Sequence, residues 1–294
     1  MKENRDDVIE KLNLMDDLFM RQVFKDRDTV EYVLRILLQR DSLTIENSEL
    51  QKTVDYIHSR NATLDIYAEA DGERFNIEIH RDNRQIIEKA RYYTSALEVE
   101  SVAKGGKDIV LPNIILIFIC EKDFFKAGHV KYDMVTTIRQ TQKEFDMGRQ
   151  FILVNSEIVD AGNPISELMQ YFANTDPTIT KFGRLSEQVR YYKATQGEGR
   201  TEMTKAILDW ELAIAERNKR EGREQGRAEG RAEGRAEGRA EGREQGEIIN
   251  QHHLVTNMHK NGMTVEQIAD VTELTVKEVE AALEEPVFEG LQEA

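Results

Sequence analysis

Asp65, Glu78 and His80 fall within one short stretch, Thr63–His80, whose sequence is TLDIYAEADGERFNIEIH. Two runs of β-branched and aromatic residues flank Asp71–Gly72, a strong local signal for a β-hairpin. A period of two puts Asn76, Glu78 and His80 on one face of the second strand, opposite Ile77 and Ile79. On the first strand the same period groups Asp65 with Tyr67, opposite Leu64, Ile66 and Ala68. A carboxylate inside an apolar strand opposes local propensity, and such conflicts gather at functional or strained sites. If the hairpin sets Asp65 across from the Glu78 face, two oxygen ligands converge with an imidazole beside them. That donor set suits Mg²⁺-assisted hydrolysis of a phosphodiester. Alternation alone also describes a half-solvated sheet with Glu78 facing water, so the pattern by itself leaves both readings open.

Further motifs sharpen the choice. Asp16–Phe19, Leu64–Asp65–Ile66, Asn76–His80 (NIEIH) and Arg91–Tyr92–Tyr93 together resemble the PD-(D/E)XK nuclease superfamily, in its branch of bacterial recombination-promoting nucleases. The resemblance spans roughly residues 14–157. It implies an α/β fold, a restriction-endonuclease-like core with a mixed sheet, and an Mg²⁺-dependent endonuclease acting on DNA, with Mn²⁺ as a substitute. Asp65 and Glu78 match the metal-binding acids, and the backbone carbonyl of Ile79 matches a further ligand. Asp17 matches an N-terminal acid that reaches the ion through water. Arg91 and Tyr92 are the implied substrate contacts. The superfamily usually has Lys two residues after the second acid, where this chain has His80. That leaves His80 open between a general base, a phosphate contact, a group orienting a ligand, and a surface histidine.

Composition bounds the alternatives. The 294 residues carry a net charge of −15, unevenly placed. Residues 1–200 hold 28 basic and 34 acidic side chains, residues 201–247 hold 10 and 12, and residues 248–294 hold 2 and 9. Such a chain lacks the strongly basic surface of an avid, non-specific DNA binder. This does not exclude a nuclease, because a local patch and a bridging metal can offset phosphate charge. The single Cys120 excludes an intramolecular disulfide framework and fits a reducing compartment. The polar opening MKENRDDVIEKLN has no signal-peptide core, and Leu111–Cys120 is too short to span a bilayer. The expectation is a cytoplasmic protein without membrane association.

Three segments position these residues. Residues 1–195 read as the nuclease-like domain: helices over Asp17–Val23, Thr29–Leu38, Ile86–Val102 and Ile165–Phe172, and buried strands over Leu111–Cys120 and Gln150–Asn155. Residues 196–247 form a charged helical or linker segment. From Gly222 it runs GREQ, four GRAE copies and a second GREQ. Glycine disfavours a helix at every fourth position by roughly 0.5–1 kcal/mol, while Arg, Ala and Glu favour one. In a helix the repeat aligns Arg with Arg and Glu with Glu at i,i+4, which repels along a lone helix and is relieved by a partner. An extended helix that self-associates is therefore expected, making the chain a homo-oligomer through its C-terminal region. Residues 248–285 read as a small helical assembly unit, capped at Thr264 and Thr275. Its outline resembles a helix-turn-helix, but Lys277 stands among Glu278 and Glu280, which favours protein packing over groove reading. Residues 286–294 are expected to fray.

Other classes have less behind them. A catalytically weakened nuclease-like binding and assembly protein is the main competitor, given His80 and the acidic balance. An unrelated Mg²⁺ phosphohydrolase would show a GxxxxGK[ST] loop, which the chain lacks. Nucleophilic catalysis by Cys120, within an apolar strand, has no indicated His partner.

Overall fold

The computed structural model describes residues 5–54, 61–82, 84–102 and 108–284. The chain divides into two compact units, Met1–Leu212 and Ala213–Ala294. The expected fraying beyond residue 285 lies outside the described residues.

The first unit opens with α1 (Arg5–Lys11), α2 (Asp17–Val23) and α3 (Arg27–Leu38), followed by β1 (Asn47–Val54), β2 (Ala62–Ala70) and β3 (Glu73–His80). Next come α4 (Ile86–Ser101), β4 (Asn113–Cys120), β5 (Lys131–Met134), the two-residue strands β6 (Thr137–Ile138) and β7 (Lys143–Glu144), and β8 (Arg149–Asn155). Helices α5 (Pro164–Asn174) and α6 (Gly183–Lys193) complete the order before the long α7 (Glu198–Lys260). Six strands make one sheet in the order β1-β2-β3-β4-β8-β5. β2 runs antiparallel to both its neighbours β1 and β3, β3, β4 and β8 run parallel, and β5 closes the far edge antiparallel to β8. The mixed α/β sheet expected from the sequence is present.

Continuous apolarity explains the centre. Every residue of β4 from Ile114 to Cys120 is buried, as a strand covered on both faces requires. One face packs Ile66, Phe75, Ile77, Ile117 and Ile119 against helices carrying Val33, Leu34, Leu37, Leu168 and Phe172. The other packs Tyr67, Leu116, Phe118 and Leu153 beneath Ile86, Ala90 and Leu97 of α4. Complete burial of each such side chain contributes about 1.5–3 kcal/mol. Asp26 caps α3 by accepting from Thr29 N at 3.0 Å and is gripped by Arg184 through two contacts of 2.8 Å. The guanidinium holds the Asp26 carboxyl below the usual range.

The first unit extends past the boundary at residue 195 expected from sequence. Met203 and Ile207, near the start of α7, are buried in the first core, while Arg200 bonds Asp6. In the second unit α7 is one helix through the whole repeat and on past residue 247, and every residue from Gly222 to Gly246 is exposed. Beyond it, α8 (Val265–Thr272) and α9 (Val276–Glu284) enclose Val255, Ile268 and Val279. Thr264 and Gln267 form a reciprocal capping box. Thr275 and Glu278 do the same, at 2.7 and 3.3 Å. Among the described residues no helix is long and apolar enough to cross a membrane.

Candidate active site

The hairpin begins with a tight turn. Asp71 and Gly72 both have positive φ, 51° and 75°, the pairing a type I′ turn needs. From Ala70↔Glu73 the β2–β3 register runs to Ile66↔Ile77 and ends there. The next pair would be Asp65 with Glu78, and here side chains replace the ladder. Glu78 Oε1 accepts from the Asp65 backbone N at 3.1 Å, and Asp65 Oδ2 accepts from the Ile79 N at 3.4 Å.

The neighbouring strand breaks at the same level. Gln51 of β1 has φ 53°, and the β1–β2 register skips the Gln51–Asp65 position. On the turn-proximal side of the break, the cross-strand pair Leu50 and Ile66 packs in the first core. On the other side, Leu64 packs in the second core, while its partner Lys52 lies over the Tyr67 ring at 3.8 Å. The side-chain faces therefore exchange across Gln51–Asp65. This corrects the grouping of Leu64 with Ile66 and Ala68: period two holds only while the ladder is continuous.

The three expected catalytic residues, Asp65, Glu78 and His80, lie side by side. Glu78 is 2% exposed and accepts a second bond at Oε1, from Asn76 Nδ2 at 2.9 Å. Asp65 Oδ1 accepts from Gln51 Nε2 at 3.1 Å. Burial, and then the Glu78 charge, push the Asp65 carboxyl up to about 6, while the bonds from Gln51 and Ile79 oppose the rise. His80 stacks on Phe118 with ring centroids 5.7 Å apart. Its Nε2 stands 3.6 Å from Glu78 Oε2, beyond hydrogen-bond range, and is buried without a hydrogen-bond partner. Asn76 Oδ1 is likewise buried and unpartnered.

A buried Glu78 beside a half-buried Asp65 whose proton affinity it raises offers two converging carboxylates, a donor set that fits a hard divalent cation. Among the described residues no group of three or more His, Cys, Asp or Glu side chains is arranged to hold a metal. Asp17 is near enough for its charge to raise the Asp65 carboxyl, yet its carboxylate is taken up by Arg21 at 2.7 Å. Its neighbour Asp16 is the acid tied to the end of β3, through Arg81 at 2.6 Å.

An open cleft of about 720 Å³ adjoins the acids, lined by Ile79 to Asp82 and by Arg84, Gln85 and Lys89. Of the expected substrate contacts, Arg91 is exposed and lies about 200° around α4 from Lys89. The half-buried Tyr92 follows Lys89 on the same flank. Sequence reasoning missed Gln51, Gln85 and Lys89, and gave Asn76 a place on the Glu78 face but no role. Asn76 was legible as the residue two before Glu78 on one strand face, and Lys89 as the i+4 companion of Gln85. Gln51 had no signal, because β1 reads as a polar segment.

A family model described as PD-(D/E)XK nuclease family transposase matches residues 18–221, a span containing Asp65, Glu78, His80, Lys89 and Arg91. No curated protein matches the chain.

Proposed function

We propose that this chain, which belongs to the PD-(D/E)XK nuclease family transposases, is a metal-dependent endonuclease hydrolysing DNA phosphodiester bonds. The observation carrying the reading is the exchange of carboxylate bonds at the hairpin break, where Glu78 accepts from Asp65 N and Asp65 from Ile79 N. Asp65 and Glu78 would hold Mg²⁺, or Mn²⁺ in its place. In an antiparallel ladder the N–H and C=O of one residue face the same neighbour, so the Ile79 carbonyl faces the gap beside Asp65 and would serve as a backbone ligand. A bound divalent ion supplies Lewis-acid polarisation of the phosphoryl group and a lower pKa for the attacking water. Asn76 and Gln51 fix the two carboxylates in rotation. The His80 ring, stacked on Phe118, holds Nε2 3.6 Å from Glu78 Oε2, where it would accept a proton from the attacking water. Asp17 contributes negative field at Asp65 rather than a ligand, since Arg21 engages it.

A second reading, a nuclease-like protein that binds DNA and assembles without cutting, draws on the absence of a three-donor His, Cys, Asp or Glu group among the described residues. Homo-oligomerisation through the C-terminal region accompanies either reading, because the Arg and Glu stripes of α7 complement those of a second copy.

The deciding experiment incubates wild type and the D65A/E78A double variant with plasmid and single-stranded DNA in Mg²⁺, Mn²⁺ or EDTA. Metal-dependent nicking that disappears in the double variant supports hydrolysis at this site. Wild type that retains DNA yet leaves it intact in both metals selects the binding reading. Equal nicking by the double variant defeats the site assignment.

A further inference from the structure

We propose that Lys89, with Gln85 one turn before it, forms a subsite that grips a phosphate of the DNA backbone beside the Asp65–Glu78 acids; the inference rests on the nuclease reading above. The cleft lining carries three cations, and two are already committed. Arg81 is clamped between Asp16 at 2.6 Å and Glu121 at 2.5 Å. Arg84 is held by Asp82 at 2.7 Å. Lys89 forms no ion pair among the described residues and is the uncommitted positive charge facing this space.

The helix start favours the same role. Lys89 is half-buried and lines the cleft, a setting in which a lysine packs its aliphatic stem and keeps its ammonium towards solvent. Its backbone N donates to the Gln85 carbonyl at 2.8 Å, which fixes both residues on one side of α4 in consecutive turns. Gln85 occupies the N-cap position, yet its side chain makes no capping bond, leaving the amide free to donate. The cleft is contiguous with the acids, since Ile79 and His80 line it and also touch Asp65 and Glu78. A phosphate entering there meets two carboxylates on a chain of net charge −15. A mobile point charge on a flexible stem opposes that repulsion without demanding bidentate geometry.

Binding can be read apart from cleavage with the full chain carrying Glu78→Gln. Its affinity for a short DNA duplex is measured by fluorescence anisotropy between 50 and 200 mM KCl in Ca²⁺, alongside E78Q/K89M and E78Q/K89R. One lost phosphate contact lowers the slope of log K against log salt by about 0.9. K89M should therefore flatten the slope by that amount and weaken binding roughly 3–10-fold at 100 mM salt. K89R should restore the slope, which a mere packing role would not do. With the otherwise wild-type enzyme, K89M should raise KM several-fold and change kcat less. An unchanged slope and affinity in K89M, while wild type still cuts DNA, overturns the subsite and leaves the nuclease reading standing. A Lys89-dependent slope in a protein that binds without cutting supports the subsite and removes the hydrolysis. Wild type that neither binds nor cuts removes both.

Discussion

Asp65 reports on the state of the site. Its folded carboxyl is pushed up to about 6 from an ordinary value of 3.8, first by burial and then by Glu78. Because ionisation is harder in the fold than in the unfolded chain, this group favours folding at low pH. That contribution is lost as pH rises from about 4 through about 6. The loss approaches roughly 3 kcal/mol at neutral pH without metal. D65N should therefore melt higher than wild type at pH 7.5 in EDTA and nearly together with it at pH 4. Differential scanning fluorimetry at both pH values tests this, and a gap that is equal at both would refute the assignment. Mg²⁺ should narrow the gap at pH 7.5 by binding wild type alone. His80 makes a different prediction. Its unpartnered Nε2 lies outside bonding range of Glu78, so H80Q should retain measurable cleavage in a plasmid-nicking assay. E78A, which removes a proposed metal ligand, should fall to background. Activity in E78A equal to wild type would show that the acid is not a ligand.

The elements differ in how openly the sequence declares them. The β2–β3 hairpin was legible because Asp71–Gly72 and the alternation of NIEI fix turn and register locally. α2 and the central strand β4 were legible for the same local reason. The exchange of faces at Gln51–Asp65 was not, since it arises from two strands failing to pair at one level. β1 was also hidden, because an edge strand exposed at Asn47, Glu49 and Thr53 carries little apolar signal. The end of the first unit was obscured because Met203 and Ile207 are isolated anchors in an otherwise polar helix. Helix α7 supplies its own test. A Cβ placed at Gly226, Gly230, Gly234, Gly238 or Gly242 meets nothing within 4 Å. Alanine at Gly230, Gly234 and Gly238 should then strengthen the helix by about 0.5–1 kcal/mol per site, seen as greater ellipticity at 222 nm on warming. If two copies approach along these glycines, the same variant should shift towards monomer in light scattering. A more helical protein of unchanged mass would make the glycines incidental to assembly.

At the scale of the whole molecule, charge and apolar burial are divided between the units. Within the acidic stretch 248–294, the described residues to 284 fold around a core as small as Val255, Ile268 and Val279, a size that gains from association. Truncation should accordingly be made after Leu212, which keeps Met203 and Ile207 in place, rather than after Thr195. The shortened protein should remain folded and scatter light as a smaller species than the full chain at matched concentration. An unchanged subunit count would put the interface within the first 212 residues. The break at Gln51 has a last consequence, for colloidal behaviour. β1 is an outer strand of the six-stranded sheet, and a long, flat, free edge is a template on which another chain can add its own strand. The left-handed residue at Gln51 interrupts that template midway. The distortion that turns Asp65 towards Glu78 thus also blunts the edge against aggregation, and straightening it would endanger solubility along with chemistry.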